Sequence, residues 1–233
     1  MQVLQQVAVR HDQGLELREL VQACGLDRTT TYRIASSLVQ AGLLSRDEGT
    51  TLYRLGLEVM ALGLASLQRP PLVERCRPAM KALARRSGDP VFLVVRSGDY
   101  SHCLHLEEGA RPIRTFADSV GGLRLLGLGI PSFTMLARMT DAAVETHYAR
   151  HAMEYQAQRM SAAKLQRWVR QTQAQGYAQV VAQGLGGVGV YFALGSCGDA
   201  ALGIVAPATR VPRARGPQLV TMIQEELERF AIC

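Results

Sequence analysis

The first 42 residues contain three short segments in which apolar side chains recur at helical spacing. The first covers residues 3–8. The second covers residues 17–24 and ends at Gly25, a residue suited to a left-handed helix end. Asp27 is suited to cap a third helix, which ends before Gly42. Short helices with a glycine turn between the second and the third have the spacing of a helix-turn-helix.

The following segments predict a small wing and then another helix. Residues 43–46 and 52–55 flank a polar turn, a pattern typical of a two-stranded hairpin. Residues 56–68 carry one apolar stripe at helical spacing, and the prolines within residues 69–71 break that helix. The predicted domains are a winged helix-turn-helix over residues 1–57, a linker helix over residues 58–71 and a second domain over residues 72–233.

Beyond residue 72 the pattern alternates between helical and strand periodicity. Hairpin connections between neighbouring strands indicate a mainly antiparallel sheet with helices packed on it, which is an α+β fold. Helices are predicted over residues 72–86, with a bend or a restart at Pro78, and over residues 131–138, 142–151, 161–176 and 219–230. Strands are predicted over residues 90–95, 100–106, 113–116, 178–181, 188–194 and 200–206.

Composition narrows the class of protein. The 233 residues are 48% hydrophobic and 20% charged, which is typical of a folded globular chain. Five widely spaced cysteines without a Cys-x-x-Cys pair argue against a disulfide framework and a structural zinc site. The first dozen residues lack the apolar run of a signal peptide, and glutamines and glycines interrupt the charge-free stretch 171–198. We therefore expect a cytoplasmic protein that does not enter a membrane.

The net charge of +6 points loosely to a polyanionic partner, but its distribution changes that interpretation. Residues 1–68 hold six arginines against seven acidic residues, whereas residues 69–96 hold seven basic residues against two acidic ones. The basic excess therefore lies outside the helix-turn-helix. Recognition of nucleic acid by that motif would rest on a few placed arginines.

Residues 20–44 (LVQACGLDRTTTYRIASSLVQAGLL) resemble the helix-turn-helix of the IclR-type transcriptional regulators. The resemblance continues over residues 121–137, 187–190 and 200–207, which are similar to the effector-binding domain of that family. The matching positions in the motif and at the end of the wing are Gly25, Leu26, Thr30, Arg33, Leu38, Gly42, Tyr53, Arg54, Leu55 and Gly56.

The resemblance implies a winged helix-turn-helix joined by a linker helix to a GAF-like α+β effector-binding domain. It also implies a homodimer or a dimer of dimers that binds double-stranded operator DNA. The implied function is a ligand-responsive regulator of a catabolic operon, by family habit a repressor, that senses a small organic or aromatic acid. Neither enzymatic activity nor a cofactor is expected.

The start of the third helix is the expected DNA-reading surface, because a recognition helix places its N-terminal residues at base edges. Arginines at the ends of the wing are suited to phosphate contacts. As an alternative, a threonine-rich start can simply cap a surface helix, and isolated exposed arginines are usually only solvated. The candidate DNA-binding residues are Arg28, Thr29, Thr30, Thr31, Tyr32, Arg33, Arg46 and Arg54.

The glycine-rich loop 121–132 is the expected small-molecule site, because glycines let backbone N–H groups approach a carboxylate before a helix start. The alternative interpretation is a surface loop without a ligand. Gly203 and Val205 stand where the family often has small polar residues, which favours a less polar ligand. With the resemblance in the last strands, the candidate effector-binding residues are Gly127, Leu128, Gly129, Ser132, Val188, Gly203 and Val205.

Three alternative functions compete with a ligand-responsive regulator. Gly184, Gly186 and Gly189 fit a dinucleotide-binding pattern, but strand-like residues follow them instead of the required helix, so we reject that interpretation. The rival from another class is a small-molecule sensor or an enzyme domain whose N-terminal helices serve only dimerisation. A further alternative is a regulator that has lost its response to an effector.

The histidines do not predict a metal site. His102 and His105 are three apart on a predicted strand and are therefore expected on opposite faces. His147 and His151 share a helical face but lack a third ligand nearby in sequence. We therefore expect no bound metal.

Overall fold

The computed structural model describes residues 2–47, 49–66, 72–111, 113, 120–194 and 198–232. The chain divides into two compact units, Met1–Pro71 and Leu72–Cys233, called here the N-terminal unit and the C-terminal unit. Within the described residues, no helix combines the length and the apolar character needed to cross a membrane.

The N-terminal unit is a winged helix-turn-helix. Gly25 ends the second helix in the left-handed conformation, with a φ of 62°, which confirms the predicted glycine turn. Leu15 forms an antiparallel bridge with Tyr53 that fixes the segment before the second helix to the wing. The elements are α1 (Gln2–Val9), α2 (Leu17–Cys24), α3 (Arg28–Gln40), β1 (Leu44–Arg46), β2 (Tyr53–Leu55) and α4 (Leu57–Ser66).

The helix that follows the wing, α4, leaves large apolar side chains in solvent. Leu57, Met60 and Leu62 are 75%, 59% and 55% exposed. The core of the N-terminal unit instead forms between α1, α2, α3 and the wing, around Leu20 and Tyr53. Residues 67–71 of the predicted linker helix lie outside the described residues.

The C-terminal unit is built on one six-stranded antiparallel sheet with the order β5-β4-β3-β8-β7-β6. The α+β class with an antiparallel sheet after the helix-turn-helix is confirmed. The strands are β3 (Val91–Ser97), β4 (Tyr100–Glu107), β5 (Leu123–Leu125), β6 (Ala178–Ala182), β7 (Leu185–Ala193) and β8 (Asp199–Pro207). The helices are α5 (Leu72–Ser87), α6 (Phe133–Leu136), α7 (Asp141–Arg150), α8 (Ala152–Ala157), α9 (Ala162–Gln175) and α10 (Gly216–Arg229).

Helices cover both faces of this sheet. On one face, α5 and α10 pack against alternate strand residues such as Leu93 and Leu202. On the other face, α6 and α9 pack against the intervening residues, such as Val94 and Val205. The period of two along each strand thus determines which core a side chain enters.

Several elements differ from the sequence prediction. A strand was predicted over residues 113–116. Ile113 is not part of a strand, and residues 114–116 lie outside the described part of the chain. The edge position belongs instead to β5, inside the segment expected to be a loop. The helix expected over residues 131–138 is restricted to α6, and α8 was not predicted. Of the two expectations at Pro78, a bend or a restart, the restart is wrong, because α5 continues through this residue.

A β-bulge in β4 changes the placement of two histidines. The pairing of β4 with β3 shifts between Leu93 and Val94, which leaves Leu104 as an extra residue in β4. His102 then pairs with Val95 and His105 with Leu93, two positions on the same face. The expectation that simple alternation places these histidines on opposite faces is therefore wrong.

Candidate functional site

The turn between α2 and α3 fixes where the recognition helix begins. The Asp27 carboxylate accepts a hydrogen bond from the Thr30 backbone N–H at 2.9 Å, as an N-cap does. Hydrogen bonds from the side chain and the backbone of Thr30 lower the pKa of Asp27. The cap therefore stays ionised at neutral pH, and α3 starts at Arg28.

One face of α3 is open to solvent and polar. Thr29, Arg33, Ser37 and Gln40 are exposed and follow one another at spacings of three or four residues, which places them in one stripe. Arg28 and Tyr32 are also exposed, whereas Thr30 is half-buried. A helix with this polar face can present side chains to base edges and phosphates in a major groove.

Thr31 does not belong to that face, although its position in the first turn suggested a DNA contact. The side chain is fully buried, and its hydroxyl donates a 2.9 Å hydrogen bond to the backbone carbonyl of Asp27. Helical periodicity turns position 31 away from positions 29 and 33. Thr31 therefore stabilises the helix start from the inside.

The two wing arginines have different roles. Arg46 is exposed, and its guanidinium lies 5.7 Å from the ring centroid of Tyr53, so it remains accessible to a phosphate. Arg54, expected to contact a phosphate as well, is used within the unit. Its guanidinium donates to the carbonyl oxygens of the loop between α1 and α2, at residues 11–13, and pairs with Asp47 at 3.2 Å. Arg54 braces the wing, which corrects the sequence-based assignment.

A cavity of about 120 Å³ opens beside the sheet of the C-terminal unit. Four of the seven candidate effector residues line it: Leu128, Gly129, Ser132 and Val205. The other lining residues that the structure describes are Phe92, Val94, Ser101, Cys103, Gly122, Arg124, Ile130, Pro131 and Leu185. The site is therefore mostly apolar, as expected for a ligand with an apolar body.

Three candidate effector residues do not line this cavity. Val188 enters the core on the opposite face of the sheet. Its neighbours Gly187 and Gly189 lie against the loop residues Ile130 and Pro131 on the cavity side, as the alternation of a strand requires. At Gly203 a side chain would collide with Pro131, so this glycine allows the loop to lie on the sheet. Gly127 has a φ of 82°, and a side chain there would collide with Leu165 in the core.

The polar side chains that line the cavity are few, and they differ in hydrogen bonding, protonation and charge. The Ser132 hydroxyl accepts from the Gly127 N–H at 2.9 Å and donates to the Gly129 carbonyl at 2.7 Å, so it holds the loop in shape. Burial raises the pKa of the Cys103 thiol to about 11, which keeps it protonated and unreactive. Arg124 is the only charged side chain among the lining residues that the structure describes.

Comparison with known proteins identifies the type of the N-terminal motif. The sequence profile of the IclR helix-turn-helix domain matches residues 1–48. The HTH-type transcriptional regulator KipR of Bacillus subtilis (strain 168) is 28% identical over 137 residues, which cover 59% of this chain and 54% of that protein. The helix-turn-helix of this chain is therefore of the IclR type.

A second curated relative extends the comparison. The HTH-type transcriptional regulator BhcR of Paracoccus denitrificans (strain Pd 1222) is 29% identical over 116 residues, which cover 50% of this chain and 41% of that protein. This chain thus spans about half or less of the length of these curated relatives. Both relatives are regulators rather than enzymes, in agreement with the sequence-based expectation.

Solved structures of IclR-type proteins share the fold over nearly the whole chain. The IclR family transcriptional regulator from Brucella abortus matches with a TM-score of 0.73 at 20% identity, covering 97% of this chain and 90% of that one. A protein described as a putative regulator of the same type, from Silicibacter sp. TM1040, matches with a TM-score of 0.68 at 17% identity, covering 98% and 93% of the two chains. At these identities the likeness establishes the fold.

Two features of this chain were not found from the sequence. Ser37 and Gln40 continue the polar face of α3 beyond its first turns, and helical spacing from Arg33 was enough to find them. Arg124 was overlooked because it stands in an apolar segment. Arg124 pairs with Ser101 where β5 joins β4, and this pairing brings it to the cavity. The pairing of the two strands could not be deduced from the sequence.

Proposed function

We propose that this chain is a ligand-responsive transcriptional regulator that binds double-stranded operator DNA as a homodimer. The observation that carries the proposal is the solvent-exposed polar stripe on α3, centred on Arg33 and held by the capped turn before it. Its donors and acceptors suit the major groove, where base pairs are distinguished by their hydrogen-bonding edges. Arg46 on the wing adds a phosphate contact.

The exposed apolar side chains of α4 support the homodimer. Leu57, Met60 and Leu62 are each more than half exposed, and burying them against a second copy would remove this apolar surface from water. Two copies would read two half-sites at a fixed spacing, since dimeric recognition helices bind successive turns of DNA. A dimer of dimers would extend the same arrangement.

The cavity supports a small organic or aromatic acid as the effector. Its volume of about 120 Å³ is comparable to the roughly 150 Å³ cavity that accommodates benzene in an engineered protein. Arg124 can pair with a carboxylate, and the apolar walls can bury the rest of the molecule. Such a ligand would regulate transcription only if it binds the DNA-competent and the DNA-incompetent states with different affinity. Repression of a catabolic operon is the simplest role for this combination.

Selection of genomic fragments by the purified full-length chain tests the proposed function. We expect enrichment of a sequence with two related half-sites, because a symmetric dimer contacts symmetric DNA. In a thermal-shift screen with organic acids, the effector should raise the melting temperature of the protein, since ligand binding stabilises the folded state. Ligand binding without any enrichment of DNA would favour the rival function, a sensor whose N-terminal helices only dimerise.

Replacement of Arg124 by glutamine is expected to weaken binding of the acid identified by that screen by about tenfold, because a charge-assisted hydrogen bond is lost. The amide of the same acid should bind both proteins equally. Isothermal titration measures the two affinities, and Arg170→Gln, which removes a largely exposed arginine from α9, is the matched control. Equal loss for acid and amide would contradict a carboxylate contact at Arg124.

A further inference from the structure

Three potential metal ligands meet outside the cavity. Asp99 lies in the turn between β3 and β4, and His147 and His151 lie one helical turn apart at the end of α7. One ligand atom from each residue lies within 4.8 Å of the others. The Oδ2 atom of Asp99 is 2.8 Å from Nε2 of His151, and its Oδ1 atom is 3.5 Å from Nδ1 of His147.

The buried histidine of this cluster has an unsatisfied ring. His147 is 2% exposed, and neither of its ring nitrogens has a hydrogen-bond partner. A buried polar group without a partner is costly, and in native proteins such a group commonly indicates an ion or a water molecule. The ring lies edge-on to Tyr155, with centroids 5.9 Å apart, so it is fixed in the core near Asp99.

The second histidine is oriented as metal-bound histidines are. Nδ1 of His151 lies 2.9 Å from a carboxylate oxygen of Glu154, and the same oxygen accepts a hydrogen bond from the Tyr100 hydroxyl. A carboxylate at one ring nitrogen holds the proton there and directs the lone pair of the other nitrogen to a metal. Here that other nitrogen, Nε2, points to Asp99.

We propose that Asp99, His147 and His151 bind a divalent first-row transition metal ion of the Zn²⁺ type, with water in the fourth position. Ligand atoms about 2.1 Å from a tetrahedral ion lie roughly 3.4 Å from one another. The 3.5 Å and 2.8 Å distances lead to different oxygens of Asp99, so each oxygen faces one histidine. With one ligand atom from each residue, the three atoms lie within 4.8 Å of one another and need to move by up to about 1.4 Å to reach that spacing. Two imidazoles favour Zn²⁺, Co²⁺ or Ni²⁺ over Mg²⁺ and Ca²⁺, which prefer oxygen ligands.

One neighbouring cation opposes the ion. The Arg150 guanidinium lies 2.7 Å from Oδ2 of Asp99, although its side chain is 60% exposed and can move into solvent. Binding of the metal must displace or repel this group, which lowers the affinity. Arg150 therefore provides a variant with the opposite expected effect, because its removal should strengthen binding.

The proposed metal site is separate from the effector cavity but connected to its loop. None of the three ligands lines the cavity. The Asp99 carbonyl accepts a hydrogen bond from the Leu126 N–H at 3.1 Å, and the Tyr155 hydroxyl donates to the Leu126 carbonyl at 2.6 Å. Leu126 directly precedes the loop at the cavity, so an ion would join the β3–β4 turn, the α7–α8 corner and this loop.

Titration of the metal-free full-length chain with ZnCl₂, in competition with a chromophoric chelator, tests the proposal. We expect one tight equivalent in the wild type. Glu154→Gln should lose roughly tenfold to hundredfold in affinity, the usual effect of an outer-shell partner. Asp99→Asn and His151→Gln should lose more, and Arg150→Gln should gain. CoCl₂ provides an absorption spectrum that distinguishes imidazole and carboxylate ligation from thiolate ligation.

His102→Gln is the matched control, because it removes a half-buried histidine of the same unit that lies outside the cluster. It should bind Zn²⁺ as the wild type does. Fluorescence of Trp168, the only tryptophan, verifies that each variant is folded. If the wild type binds no equivalent of Zn²⁺, or if Asp99→Asn and His151→Gln bind it as tightly as the wild type, the proposal is overturned. A thiolate spectrum with Co²⁺ would also overturn it.

Discussion

Replacement of Asp89 by alanine is expected to lower the free energy of unfolding of the C-terminal unit by about 3–5 kcal/mol, because two half-buried guanidinium groups lose their buried counter-charge. The Asp89 side chain is fully buried, with Arg215 at 2.6 Å and Arg210 at 2.9 Å. Arg215 also donates to the carbonyls of Ser87 and Arg210. The side chains of Arg215 and Arg210 are 25% and 18% exposed, so water partly solvates them. The loss of unfolding free energy should therefore lie at the lower end of that range.

Urea unfolding of the full-length chain measures this loss. Trp168 is the only tryptophan and lies on α9, so its fluorescence follows the C-terminal unit alone. Asp141→Ala is the matched control, because its 3.2 Å pair with Arg170 is more than half exposed on both sides. Exposed pairs contribute about 0–1 kcal/mol, so the control should differ little from the wild type. Equal losses for the two variants would refute a special role for the buried carboxylate.

The Asp89 cluster also explains how a distant part of the chain supports the cavity. Asp89 lies two residues before β3, whose residues Phe92 and Val94 form part of the cavity wall. Its partners Arg210 and Arg215 lie between β8 and α10. The ion pairs therefore fix the start of a cavity strand to a segment more than 120 residues further along the chain.

Local interactions made the helix boundaries predictable. Asp27 and Ser161 cap α3 and α9 through hydrogen bonds to backbone N–H groups three residues later, and Gly176 ends α9 in the left-handed conformation. Each of these signals acts within about one helical turn, so the sequence contains the interacting partners side by side. The same holds for the polar face of α3 around Arg33.

Contacts between distant segments were not predictable in this way. Arg54 was assigned to DNA because its sequence neighbours form a wing, whereas its partners at residues 11–13 are more than 40 positions earlier. The sequence around His147 and His151 shows no third metal ligand, because Asp99 lies about 50 positions earlier and only the folded C-terminal unit brings it close to them. Val188 was misplaced by one step of strand alternation, since the face of a strand depends on the register with its neighbours.

Replacement of Arg33 by alanine is expected to reduce affinity for the selected operator about tenfold to hundredfold, because a bidentate base contact contributes roughly 1–3 kcal/mol. Arg33 is exposed at the centre of the polar stripe of α3, so its removal should leave the melting temperature unchanged. Fluorescence anisotropy with labelled operator measures the affinity. Arg167→Ala, which removes an exposed arginine from α9, should bind as the wild type does.

Arg54→Ala distinguishes a DNA contact from a structural brace. Because Arg54 holds the α1–α2 loop and Asp47, its loss should lower the thermal stability of the N-terminal unit, measured by circular dichroism, together with operator affinity. Arg33→Ala should affect only the affinity. If Arg54→Ala reduced binding without any loss of stability, the wing arginine would be a phosphate contact after all. Equal affinity of Arg33→Ala and Arg167→Ala would mean that α3 does not read the operator, because base recognition depends on the side chains that the helix presents to the groove.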